Sequence, residues 1–145
     1  MKFERRAATP ADADFARAAH HAAYRDVVTR QFGAWDEALQ DSFFAKDWAL
    51  AEHEILLSDG AACGYVSVGR TARWLHLREL VVLPAFQGRG IGTAFLISLQ
   101  QEGRAANLPV RLGVLQQNRA QGLYRRLGFV EYERSPTHFL MEWRP

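Results

Sequence analysis

Cys63 is the only cysteine in the chain, so no disulfide can form within it and the fold must rest on its core. No apolar run approaches the ~20 residues that span a bilayer. The opening Met1-Lys2-Phe3-Glu4-Arg5-Arg6 has charges with no apolar stretch behind them, which is not the layout of a secretory leader. A cytoplasmic protein with no membrane association is therefore the expectation. Repeats, low-complexity stretches and linkers are also missing. With 145 residues, close to the ~150 of one domain, a single domain over 1-145 is expected. Charge of one sign is scarce too. The formal net charge is only +2, and no basic stripe carries interleaved aromatics, which argues against a nucleic-acid partner.

Hydrophobic residues make up 48% of the chain and aromatics 12%, enough for a core and a shaped pocket. Charge is uneven along the chain: from Asp36 to Glu54 there are six acids (Asp36, Glu37, Asp41, Asp47, Glu52, Glu54) against Lys46 alone. Such a stretch attracts cations if it lines a mouth, and is otherwise the solvated face of a helix. The histidines show no metal-ligand spacing: His20 and His21 are neighbours on a helix and cannot converge on one ion, and no carboxylate–histidine cluster suggests a catalytic metal. No metal is expected.

The pattern of apolar residues and breakers gives an element order. Phe3 to Ala7 reads as a strand. Thr9 as N-cap and Pro10 at the first position open a helix that runs to about Val28. Gly33 breaks the chain, and a second helix covers Asp36 to Phe44 or slightly beyond. Glu54–Leu57 and Cys63–Val68 flank a Ser58-Asp59-Gly60 turn as a hairpin. Trp74–Leu83 is a strand, Ile91–Arg104 a helix, Pro109–Leu115 a strand, and Arg119–Leu127 a helix stopped by Gly128. Phe129–Glu133 and His138–Trp143 form a last strand pair. A strand–helix–strand crossover amid hairpins implies a mixed α/β (α+β) fold, mostly antiparallel with one parallel pair.

The run Gln87-Gly88-Arg89-Gly90-Ile91-Gly92 lies between a strand and a helix. Its glycines allow close backbone approach. The first amides of the following helix have no partner within it and sit at the positive end of its dipole, so they suit an anion such as pyrophosphate. The run is neither a dinucleotide fingerprint, since the third glycine is misplaced, nor a P-loop, since no lysine follows.

This run resembles the [QR]-x-x-G-x-[GA] hallmark of the GCN5-related N-acetyltransferase (GNAT) family at every fixed position. Asn118-Arg119-Ala120-Gln121-Gly122-Leu123-Tyr124-Arg125-Arg126-Leu127-Gly128-Phe129 is similar to the family's N-x-x-A-x-x-L-Y-x-x-x-G-F, with the small residue one position early. The resemblance covers Trp74 to Phe129. It implies a GNAT-like fold with a parallel fourth and fifth strand and about four flanking helices. It also implies acetyl-coenzyme A as co-substrate and the amine of a small molecule or peptide as acceptor. The backbone of Leu80, Val81 and Val82 would pair with the pantetheine arm. The amides from Gly88 through Arg89, Gly90, Ile91 and Gly92 to Thr93 would hold the pyrophosphate, with Gln87 at the head of the motif. Asn118 would contact the pantetheine, and Arg89, with Arg125, the phosphates.

The same resemblance makes Tyr124, also in the cofactor set, the acid that protonates the departing thiolate. A phenol with a pKa of about 10 suits that role, and the alternative is a helix tyrosine packed on the core. It makes His76, eleven residues before Gln87, a candidate base. Glu79 competes, although strand alternation points it to the other face. Trp35, Phe43, Phe44 and Glu79 would face the acceptor; as a plain alternative, these aromatics are core. A non-catalytic acyl-CoA sensor and a transferase of longer acyl chains remain open, as does a homodimer paired through the last strands.

Overall fold

The computed structural model describes residues 2–145. In chain order the elements are β1 (Phe3–Ala7), α1 (Ala13–Phe32), α2 (Glu37–Leu50), β2 (Glu54–Ser58), β3 (Ala61–Arg70), β4 (Leu75–Val82), α3 (Ile91–Ala106), β5 (Val110–Leu115), α4 (Ala120–Arg126), β6 (Val130–Arg134) and β7 (His138–Trp143). The strands make one mixed sheet in the order β1-β2-β3-β4-β5-β7-β6. β4 and β5 are its parallel pair. The backbone packs as two compact units: residues up to Ser67 with Glu79–Ile91, and Val68–Arg78 with Gly92–Pro145.

In the first unit, β1 and β2 pair antiparallel from Phe3↔Ser58 to Ala7↔Glu54. β2 and β3 form the expected hairpin, with a register shift at Leu56/Leu57. Asp59 and Gly60 both take positive φ, the requirement of a tight two-residue hairpin turn. The core joins Ala16 and Ala19 of α1, Phe44 of α2, Ile55, Tyr65 and Val81, with Tyr24 and Trp48 packed against it. An ideal Cβ on Gly64 would lie 2.0 Å from the Val81 carbonyl oxygen. Only glycine therefore lets β3 pass that close to β4.

Several boundaries differ from the sequence expectation. α1 runs to Phe32 rather than Val28, because nothing breaks it before Gly33. That glycine takes φ +87 and bonds its N–H to the Thr29 carbonyl. α2 continues to Leu50, past Phe44, for the same reason: no glycine or proline intervenes. Thr9 does not cap α1 directly; a 3₁₀ turn, Pro10–Asp12, comes first. There the Asp12 carboxylate accepts from the Thr9 N–H at 2.8 Å and from Arg6 at 2.9 Å.

In the second unit, α3 buries Phe95, Leu96 and Leu99, its 3.6-residue apolar stripe. At Gly103 an added Cβ would meet the Leu108 carbonyl at 2.7 Å and the Trp143 ring at 2.9 Å, which explains a glycine inside that helix. The Gln100 side chain donates to the Leu127 carbonyl at 2.7 Å and so ties α3 to the end of α4. Gly128, φ +91, turns the chain out of α4 as expected, and the Phe129 N–H bonds the Tyr124 carbonyl at 3.0 Å. β7 returns beside β5, leaving β6 at the sheet edge. No described helix is long and apolar enough to cross a membrane.

Candidate functional site

Two features of the first unit point to a ligand with an anionic end. The first is the edge of β4. Its ladder with β5 covers only Leu75–Leu77 against Val110–Leu112, although β4 continues to Val82. From Glu79 to Val82 the strand extends beyond that ladder. Strand backbone beyond a ladder accepts an added strand or an extended amide-bearing chain. Leu80, Val81 and Val82 all lie in this stretch.

The second feature is the loop after it. Gly88 and Gly90 take φ +75 and +83, and a Cβ on either would meet nothing within 4 Å. Glycine is therefore there for its backbone conformation. Left-handed residues alternating with an ordinary one turn successive N–H groups to one side, a concavity that binds anions. It leads straight into the first turn of α3 at Ile91 and Thr93, where amides lack helical partners. Gln87 folds its side chain back to the Val82 carbonyl at 2.9 Å, which holds the loop against the strand. The Arg89 guanidinium lies 5.2 Å above the Phe86 ring. Gly92 differs from the other two: its φ is not positive, and a Cβ there would come 3.3 Å from Leu123. It serves the approach of α3 to α4.

Glu79 is a carboxyl of this unit whose pKa is raised. It is half-buried on β4, and the Tyr24 hydroxyl donates to its Oε2 at 3.3 Å. Burial, then the negative charge of Asp47, push its pKa up to about 7, against the lowering effect of the Tyr24 bond. Phe44 and Trp48 stack at 5.5 Å, and both meet the Tyr65 ring edge-on. The buried Tyr65 hydroxyl is pushed far above its usual range by burial, Glu79 and Asp47. Phe44 is thus core, whereas Phe43 is half exposed. Trp35 follows α1, with its indole N–H on Glu37 at 2.5 Å and the Arg25 guanidinium over its ring at 5.2 Å.

The acidic stretch is partly neutralised. Asp36 caps α2 through the Leu39 N–H, Glu37 pairs with Arg25 at 3.2 Å, and Glu54 with Arg5 at 3.4 Å. His20 and His21 do meet, Nδ1 to Nδ1 at 2.9 Å. A carboxylate–histidine cluster, His21 with Glu37 and Asp41, also exists. Its members come from two helices brought together by the Gly33 turn, which no linear spacing reveals. His20 itself is pushed down to about 4 by burial and then by His21.

In the second unit His76 is exposed on β4. Partial burial of its ring, then the Arg78 charge, lower its pKa. Tyr124 is buried on α4, its ring edge-on to Phe129 at 5.8 Å. The Asn118 Oδ1 accepts from the Ala120 N–H at 2.9 Å, which starts α4 and leaves the amide NH₂ for other partners. Arg125 is engaged by Glu131 at 3.8 Å and by the Phe139 ring.

A mixed sheet with a parallel β4–β5 pair and a glycine-turned loop into a helix match the acyltransferase class to which a family comparison assigns the chain. A family model described as Acetyltransferase (GNAT) domain matches residues 45–131, and the chain belongs to that family. No sequence among curated proteins matches it. Solved structures share its fold at low identity. The PaiA N-acetyltransferase of Thermoplasma acidophilum, in complex with coenzyme A, has TM-score 0.80 at 17% identity over 100% of both chains. A GNAT family acetyltransferase of Brucella melitensis, in complex with acetyl-CoA, has TM-score 0.63 at 24% identity over 99% of this chain and 88% of that one. Ard1 of Thermoplasma volcanium has TM-score 0.66 at 18% identity over 99% of this chain and 98% of that one.

Proposed function

We propose that this chain transfers the acetyl group of acetyl-CoA to a primary amine, with Glu79 as general base and Tyr124 as general acid. The observation that carries this reading is the Glu79 carboxyl. It is held at about 7 by burial and Asp47, bonded to Tyr24, and lies on the stretch of β4 that extends beyond its ladder with β5. A base is most effective when its pKa lies near the working pH. His76, the other candidate, is exposed and points to the opposite face of its strand, so Glu79 is the better base.

Acetyl-CoA fits the residues present. The amides of Gly88 to Thr93 suit its pyrophosphate, and the edge of Leu80–Val82 suits the amides of its pantetheine arm. Arg89 adds charge near the phosphates, and the Asn118 amide NH₂ offers a donor to the arm. The cofactor supplies an activated acyl carbon when bound. Glu79 takes the proton from the attacking amine, directly or through one water, so that a carbon–nitrogen bond forms as the carbon–sulfur bond breaks. Tyr124 gives its hydroxyl proton to the departing sulfur. Trp35 and Phe43, which keep exposed surface, are the acceptor contacts of this reading, with Phe44 supporting them from the core.

The test is an amine panel with acetyl-CoA, read by released thiol. Turnover with at least one amine, lost in Glu79→Gln, supports the assignment. Acetyl-CoA binding without turnover of any amine indicates a sensor instead, and faster turnover of longer acyl-CoAs moves the acyl specificity.

A further inference from the structure

The Gly33 turn brings three ligand-type atoms together at the α1–α2 junction. They are His21 Nε2 and one carboxylate oxygen each from Glu37 and Asp41, all within 4.8 Å of one another. Glu37 and Asp41 are four residues apart on α2, so both face the same side of it. His21 comes from α1 and is 6% exposed. Its Nε2 lies 2.6 Å from Asp41 Oδ1 and 3.9 Å from Glu37 Oε1.

We propose that His21, Glu37 and Asp41 form a non-catalytic Zn²⁺ site that clamps α1 to α2. One imidazole nitrogen and two carboxylate oxygens are a ligand set zinc accepts, with a fourth position left for water. Tetrahedral zinc at ~2.1 Å from each ligand sets neighbouring ligands about 3.4 Å apart. The His21–Asp41 distance must open by about 0.8 Å, the His21–Glu37 distance close by about 0.5 Å and the Glu37–Asp41 distance close by up to about 1.4 Å, movements within reach of two solvent-accessible carboxylate side chains. The surroundings have the form of an outer shell that orients ligands. His21 Nδ1 meets His20 Nδ1 at 2.9 Å, so a bond to His20 leaves Nε2 facing the carboxylates. The Trp35 indole and Arg25 hold Glu37 Oε2, which turns Oε1 to the cluster. Arg25 also opposes a cation by its own charge. Without an ion, the same three groups form a close polar network.

The experiment is calorimetric titration of metal-free protein with Zn²⁺, paired with thermal unfolding and with the visible spectrum of a Co²⁺ titration. We expect one Zn²⁺ per chain, a rise in Tm with zinc, and the intense bands of tetrahedral Co²⁺. Glu37→Gln and Asp41→Asn, both at partly exposed positions, should each weaken binding at least tenfold without changing the Tm rise produced by acetyl-CoA. His21→Ala should abolish zinc binding. Absence of saturable binding at micromolar zinc, or binding equal in wild type and all three variants, overturns the proposal and leaves a polar network. None of these readouts depends on transferase activity.

Discussion

Replacing Glu79 with glutamine keeps the shape of the side chain and an acceptor for the Tyr24 hydroxyl, and removes only the titrating proton. In the folded chain the carboxyl stands at about 7, against an ordinary 4.5. Between those pH values the folded state retains a proton that the unfolded state has released. Stability therefore falls as pH rises through this window and is level above it. At 1.36 kcal/mol per pKa unit the gap is worth about 3 kcal/mol, which solvent around a half-buried side chain reduces to about 1–3 kcal/mol. Glutamine escapes that loss. Glu79→Gln should match wild type in stability at pH 4 and exceed it at pH 8 by roughly 2–12 °C in Tm, at 2–4 °C per kcal/mol. Its kcat should nevertheless fall by about 10²–10⁴, the usual contribution of a positioned base, and the acid limb near pH 7 should vanish. Thermal unfolding at both pH values and thiol-release kinetics measure the two effects separately. A Tm difference independent of pH refutes the raised carboxyl, and undiminished turnover refutes its role as base.

Other outcomes follow from the same geometry. Asp47→Asn removes a like charge that raises Glu79, so the acid limb of the pH–rate profile should move to lower pH, whereas His76→Ala should leave it in place. Tyr124→Phe should lower kcat with little change in acetyl-CoA affinity, the pattern of a group acting in the transition state; equal turnover returns the residue to the core. Gly90→Val forces a β-branched side chain into φ +83 and should abolish the Tm rise with acetyl-CoA while the far-UV circular dichroism stays native. Gly64→Ala, whose Cβ would sit 2.0 Å from the Val81 carbonyl, should lower stability by about 1–3 kcal/mol in denaturant unfolding, because backbone rather than a flexible side chain must move.

The sequence by itself carried the element order, the parallel β4–β5 pair and the family, because those depend on local signals. The turn at Asp59-Gly60, the stop at Gly128, the apolar stripe of α3 and the glycine run are each readable within a few residues. The family motifs also marked which residues to weigh for cofactor and catalysis. Tertiary structure decided what depends on environment. Glu79 and His76 differ in sequence only by residue type and strand parity. Burial and the nearby Asp47 charge raise one, while the other stays exposed. Phe43 and Phe44 are adjacent and similar, and only the packing of α2 sends one to the core and leaves the other at the surface. Gly92 looked equivalent to Gly88 and Gly90 until φ and the Leu123 contact separated conformation from packing. The net charge of Asp36 to Glu54 overstated a field that Arg25, Arg5 and a helix cap partly neutralise. His21, Glu37 and Asp41 lie on two helices and meet only where Gly33 reverses the chain. Distances across that turn are a property of packing, and no spacing along the chain encodes them.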